Sequence, residues 1–344
     1  MFTTKNGLMI FVVFLVTAIS LFAQPTQRRG GRIAEKIRNN RANQQNNNDS
    51  YVVGKNRFTT VVDGDTREYY VHVPQNYNHS AKIPVVFMLH GTSGNGERFY
   101  NISGWKELAE TENILTVYPS SWRHCVIERG IRHTTTKWNI FPGSFEYCEG
   151  ERPKDDIKFL NQVIDELQSK FNINQQMIYF VGFSNGGQMT ARVGVEMSDR
   201  VAAVVSASGM LIGTATYTPK RLIPNLFQVG TNDDLFMPVL FGGKPAPMDF
   251  AQLFQTSPGM RSVLQTYQWT YQLSSQYQTS GDPNSFISLE DYGTSRQKQN
   301  VFRFNLIKGM KHVYPNGRNF PIYGAHEHWK WLKQFQLNDS AQNR

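Results

Sequence analysis

An α/β architecture is predicted from the sequence, one predominantly parallel sheet with helices on both faces, and three observations carry that prediction. Short, largely apolar runs recur at 83–89, 114–118, 177–181, 201–207, 226–229 and 301–307, the composition of strands covered on both faces. Helix-like stretches lie between them. At 156–171, Ile157, Leu160, Ile164, Leu167 and Phe171 share one helical face behind a capping Asp155 or Asp156. Alternation of this kind joins neighbouring strands through crossovers and makes them parallel, so a ligand is expected at their carboxyl ends. A chain of 344 residues, 40% of them hydrophobic, is long enough to bury a sizeable core.

Residues 1–23 read as a secretory signal. Lys5 gives the charged start, 8–22 the apolar run, and Ala23 a small residue before a cut at Gln24; a retained membrane anchor is the alternative, disfavoured by the short run with Thr17 and Ser20 near its end. Residues 24–50 are rich in Arg, Asn and Gln and carry almost no large apolar residue, the composition of a disordered linker. Six basic residues against Glu35 and Asp49 place +4 of the formal +9 there, and Lys5 adds +1. Residues 51–344 are left with +4, which gives little support to nucleic-acid binding. No membrane association is expected after cleavage, and a monomer is expected. The catalytic domain is placed at 51–337. Cys125 and Cys148 are the only cysteines. In an exported chain they are expected to pair, the alternative being two buried thiols, and their spacing offers no zinc or redox motif.

The folded part opens with two alternating segments, 58–62 and 68–73, joined across Asp63-Gly64-Asp65 as a hairpin. The run at 83–89 ends in His90-Gly91-Thr92, and a helix is expected at 105–111. Residues 119–153, with Trp122, His124, Trp138, Phe141 and Tyr147, show little periodicity and read as a long loop over a site. In 238–298 only 261–273 looks helical.

Chemistry concentrates where strands end. The run at 177–181 passes through Gly182-Phe183-Ser184-Asn185-Gly186-Gly187 into a helix-like segment at 188–197, the pattern of a serine held on a tight strand-to-helix turn, where glycines two before and two after relieve crowding. A serine that merely caps the helix is the plainer reading. The strand at 226–229 delivers Asp233 or Asp234 to the same rim, Asp233 being favoured because Asp234 suits a cap. The strand at 301–307 delivers His312. Serine is too weak an acid to attack an ester unaided. An imidazole must take its proton, and a carboxylate must fix the tautomer and stabilise the imidazolium. Serine, acid and histidine follow in the order this architecture uses. The backbone N–H groups of Thr92 and Asn185 are placed to receive charge on a carbonyl oxygen. His90 is read as a brace of its loop, and His326 and His328, two apart on a helix, as surface residues.

These pieces resemble the secreted α/β-hydrolases that group polyhydroxybutyrate depolymerases, feruloyl esterases and acetylxylan esterases, over roughly residues 55–335. Leu89-His90-Gly91, Ser103-Gly104-Trp105, Trp138-Asn139, Gly182 through Gly187, Gly230-Thr231-Asn232-Asp233 and His312-Val313-Tyr314-Pro315-Asn316-Gly317 carry the resemblance, the last most specifically. It implies an α/β-hydrolase fold with Ser184 as nucleophile, Asp233 as orienting acid and His312 as base. Lys137 stands where the family often has cysteine and Tyr314 where it often has tryptophan, which bears on the disulfide pattern and on pocket shape. The expected reaction is ester hydrolysis without metal or organic cofactor, on feruloyl or acetyl esters of plant cell-wall polysaccharide. Polyester depolymerisation and a non-catalytic binding module on the same fold are the alternatives. Trp138 is placed at the substrate, on a wall that Trp122, Phe141 and Tyr147 would share.

Overall fold

A computed structural model describes residues 51–211, 217–242, 244, 246–293 and 300–337; the signal and linker segments lie outside these. The chain begins with strands β1 (Gly54–Val62) and β2 (Asp65–Val73), joined by a two-residue turn in which Asp63 and Gly64 both take positive φ, 51° and 87°. That backbone matches the twist of an antiparallel pair. Strand β3 (Ile83–Leu89) follows, then helices α1 (Gly96–Ile102) and α2 (Trp105–Glu112) and strand β4 (Leu115–Pro119). After an excursion come helix α3 (Asp156–Lys170), strand β8 (Ile173–Phe183), helix α4 (Asn185–Glu196), and strands β9 (Ala203–Ala207), β10 (Asn225–Gly230) and β13 (Val301–Ile307).

The main sheet runs β1-β2-β4-β3-β8-β9-β10-β13, extended beyond β13 by a hairpin. Strands β4 through β13 in that order are parallel to their neighbours, and β2 pairs antiparallel with β4. Each face carries its own core. Along β3, Val85, Phe87 and Leu89 join one cluster while Val86 and Met88 join the other, which is why the strand reads as an unbroken apolar run. Phe87 stacks on Phe180 at 4.3 Å on the first face. Trp105, Tyr179 and Trp329 fill the second. Asp155 caps α3 by accepting the Lys158 N–H, and Asp156 turns inward to a buried ion pair with Arg67 at 2.7 Å.

Two segments depart from expectation. Residues 119–153 are not an unstructured loop: β5 (Trp122–Glu128), β6 (Ile131–Lys137) and β7 (Glu146–Tyr147) form a separate three-stranded antiparallel sheet, order β6-β5-β7, closed by the Cys125–Cys148 disulfide. One face of this sheet is buried, but through His124, Thr135 and Lys137 as well as Val126, so no apolar period of two stands out in the sequence. Residues 238–298 hold more than one helix. Helix α5 (Met237–Phe241) leads to α6 (Phe250–Thr256) and α7 (Pro258–Thr270), capped by Asp249 and Ser257, and then to the hairpin β11 (Gln278–Asp282) and β12 (Phe286–Tyr292). Helix α8 (Gly324–Leu332) closes the second face. Among the described residues no helix is long and apolar enough to cross a membrane.

Candidate active site

Ser184 sits between β8 and α4 with φ 56° and ψ −122°, a conformation a side chain rarely adopts. Close packing around the turn enforces it. A Cβ at Gly182 would lie 2.0 Å from the Gly186 carbonyl oxygen, and one at Gly186 would lie 2.4 Å from the carbonyl oxygens of Leu89 and His90. Helix α4 is thereby pressed against the end of β3. Gly91 packs directly on the Ser184 side chain, where an added Cβ would come within 3.1 Å.

Ser184 Oγ lies 2.9 Å from His312 Nε2, and His312 Nδ1 lies 2.9 Å from both Asp233 carboxylate oxygens. Asp233, not the exposed Asp234, is therefore the acid that meets the imidazole. Asp233 is fully buried; burial alone would raise its pKa, but the hydrogen bonds from His312, from the Ser208 hydroxyl at 2.8 Å and from the Phe236 backbone N–H at 3.0 Å hold it below the usual value. The Asp and His loops are zipped together. Thr231 N–H donates to the Ile307 carbonyl and Asn232 N–H to that of Met310, while Gly309 N–H reaches the Thr231 hydroxyl at 2.8 Å. Phe183 and Phe236 flank the His312 ring at centroid distances of 4.9 and 5.9 Å.

The Thr92 and Asn185 backbone N–H groups donate to no backbone carbonyl among the described residues. The loop holding Thr92 is braced by β6: Ser93 N–H donates to the Thr136 carbonyl, and the Thr136 hydroxyl to that of Gly94. His90 is buried beside it and pushed down to about 4 by that burial, so it is neutral, with Nε2 accepting the Ser121 N–H and Nδ1 against the Gly91 carbonyl. The bracing role expected of His90 fits these contacts.

Trp138 is not at a substrate wall. It has no exposed surface, its indole N–H donates to the His90 carbonyl at 2.8 Å, and both of its backbone groups bond to the Asn185 carboxamide. An indole packed against the loop that follows β3 leaves no face for a ligand. Phe141 is buried as well, whereas Trp122 and Tyr147 are partly exposed. Lys137 is buried in an ion pair with Glu128 and over the Phe145 ring.

His328, expected at the surface, is fully buried and held down to about 3 by that burial; His326 is exposed. The reason is a chain of hydrogen bonds. The Trp105 indole N–H donates to the Tyr314 hydroxyl at 2.9 Å, Tyr314 meets His328 Nδ1 at 3.0 Å, and His328 Nε2 meets Gln228 Oε1 at 3.2 Å. With the Tyr314 oxygen taking the indole proton, the phenol donates to Nδ1 and the neutral ring donates onward from Nε2. Ser208, Thr136 and this chain escaped the sequence reading. Only the position of Ser208 directly after an apolar strand hinted at a role.

A serine on a strained elbow after β8, with histidine and aspartate supplied from the ends of β13 and β10, defines an α/β-hydrolase. The chain belongs to the Phospholipase/Carboxylesterase family, whose model matches residues 75–251. Over half of its length it is 27% identical to a bifunctional acetylxylan esterase/xylanase of Neocallimastix patriciarum, covering 22% of that protein. It is 23% identical to feruloyl esterase B of Thermothelomyces thermophilus over 43% of this chain and 46% of the relative. The matches thus span less than half of these relatives' lengths. Among solved structures, an acetyl xylan esterase from Aspergillus awamori superposes over 81% of this chain and 99% of its own with a TM-score of 0.52 at 14% identity, a likeness of fold.

Proposed function

We propose that the chain is an exported serine esterase that cleaves carboxylic esters through an acyl-enzyme, with acetyl or feruloyl esters on plant cell-wall polysaccharide as its substrate class. The continuous hydrogen-bond chain Ser184–His312–Asp233 at 2.9 Å per contact carries this reading. His312 Nε2 takes the Ser184 proton as Oγ attacks the ester carbonyl, and Asp233 fixes the proton on Nδ1 and stabilises the imidazolium. Charge on the carbonyl oxygen is received by the backbone N–H groups of Thr92 and Asn185, the latter at the start of α4 where the helix dipole adds to it. The imidazolium then protonates the leaving alkoxide, and water deacylates the serine by the reverse path. The names of the relatives support an ester carried on polysaccharide.

Purified protein and its Ser184→Ala variant are compared on a chromogenic acetyl ester, methyl ferulate, acetylated xylan and amorphous polyhydroxybutyrate. The parent is expected to hydrolyse the first three, with a loss of at least about a thousandfold in the variant. Equal rates in the two proteins would remove the catalytic assignment. Clearing of the polyester alone would move the substrate to that class.

A further inference from the structure

We propose that Tyr323 and the two clefts it separates form a binding surface for a neutral glycan chain, distinct from the acyl site at Ser184; the inference rests on the polysaccharide reading above. The first cleft, about 480 Å³, lies between the starts of α2 and α8 and is lined by Ser103, Lys106, Glu107, Asn316 and Arg318 among others. The second, about 540 Å³, is walled by Phe286, Pro321 and Ile322, with Gln228, Glu327 and Lys330. Tyr323 and His326 line both, whereas Ser184 and His312 line neither. Each volume suits a ligand the size of a sugar ring or two.

Tyr323 is 59% exposed, unusual for a large aromatic that nothing forces outward. Its ring is nevertheless fixed. One face rests on Gly317, where an added Cβ would come within 2.3 Å of the ring carbons, and His326 meets it edge-on at 5.9 Å. The loop beneath is closed by the Asn316–Tyr323 bridge and by the Gly317 N–H to the Ile322 carbonyl at 3.0 Å, with Gly324 N–H bound to the Pro315 carbonyl. The opposite face stands open to solvent as a flat, immobilised platform. The apolar face of a sugar ring stacks on such a surface, and the ordering cost is already met by the loop.

The charge of the walls selects a neutral ligand. Lys330 pairs with Glu327 at 2.9 Å in the second cleft, which leaves its walls balanced, and Lys106 pairs with Glu107 at 3.7 Å in the first, where exposed Arg318 adds a further cation, so the surface offers mostly paired charges able to take hydroxyls rather than a strong field of one sign. A donor waits at the floor of the second cleft. Gln228 is 2% exposed, its Oε1 is engaged by His328, and its Nε2 has no hydrogen-bond partner. An unmet buried donor costs free energy that a hydroxyl or ring oxygen would return. The hydrogen-bond chain ending at Gln228 passes through Tyr314, two residues from His312, so the cleft is tied to the catalytic loop.

The test is electrophoresis of the full chain through gels containing soluble, unesterified arabinoxylan, with titration by a long xylo-oligosaccharide. The parent is expected to be retarded. Tyr323→Ala should weaken the oligosaccharide Kd roughly tenfold, the loss of one stacking platform, and Tyr323→Trp should restore it. Melting curves confirm that both variants fold. A parent that hydrolyses a chromogenic ester but runs unretarded overturns this surface and leaves the esterase intact. A retarded but inactive parent overturns the esterase and keeps the surface. Retardation by polygalacturonate alone, or equal retardation of parent and Tyr323→Ala, overturns the proposal.

Discussion

Ser208 and Asp233 show how differently two neighbouring side chains weigh on one site. Asp233 holds the His312 tautomer, so Asp233→Asn should lower kcat on a chromogenic ester by about ten thousandfold, because an amide at this place favours the wrong ring proton. Ser208 contributes one of several hydrogen bonds to that carboxylate, and Ser208→Ala should cost roughly three- to tenfold in kcat/KM, the worth of a single such bond. A Ser208→Ala loss as large as that of Asp233→Asn would mean that the serine does more than steady the acid. Ser184, Asp233 and His312 were legible in the sequence because glycines and strand ends mark them. Ser208 was not, since a serine after a strand obeys no spacing rule. His328 was misread for a related reason. Spacing on a helix gives the face of a residue but not what lies opposite, and Tyr314 and Gln228 reach it from distant parts of the chain.

At the scale of elements, the small sheet β5–β7 is a brace. It holds the Thr92 loop through Thr136 and presents the Trp138 backbone to Asn185, so it supports both proposed oxyanion donors. Its disulfide closes a loop with a sequence separation of 23, worth about 3 kcal/mol on the chain-entropy account. The double variant Cys125→Ser, Cys148→Ser should therefore melt several degrees lower and lose kcat as the loop loosens. Unchanged melting would show that strand pairing alone holds the sheet. The parallel strands were readable because burial on both faces leaves continuous apolar runs. The hairpin β11–β12 was not: β11 is exposed along its whole length, so no alternation records it. Helix α1 was missed for want of length, as seven residues span barely two turns.

For the whole molecule, acid is the exposing condition. His90 and His328 are buried neutral, pushed from 6.5 to about 4 and about 3. Their folded values lie below their unfolded ones, so between pH 6.5 and 4 the unfolded chain binds protons that the folded chain refuses, and stability falls as pH falls through that window. Each contributes on the order of 1 to 3 kcal/mol to the loss. Asp233, whose carboxyl is depressed, adds a further loss only below its unfolded value near 3.8, as pH falls through its folded one. Thermal melts from pH 7.5 to 4.5 should show a steady decline beginning near 6.5, and a flat profile down to 4.5 would contradict the buried neutral assignment.

For anyone wishing to change what this enzyme accepts, the crowding around the elbow decides where to look. Beyond Gly182 and Gly186, a Cβ at Gly209 would strike the Ser184 carbonyl oxygen at 2.4 Å, and one at Gly230 would strike that of Met310 at 2.0 Å. These backbone positions admit no side chain, so a library aimed at them returns inactive protein whatever the selection. Diversity belongs in Leu235 and Phe236 directly after Asp233, where Leu235 is exposed and Phe236 flanks the His312 ring, so that substitution alters the rim without touching the glycines of the elbow.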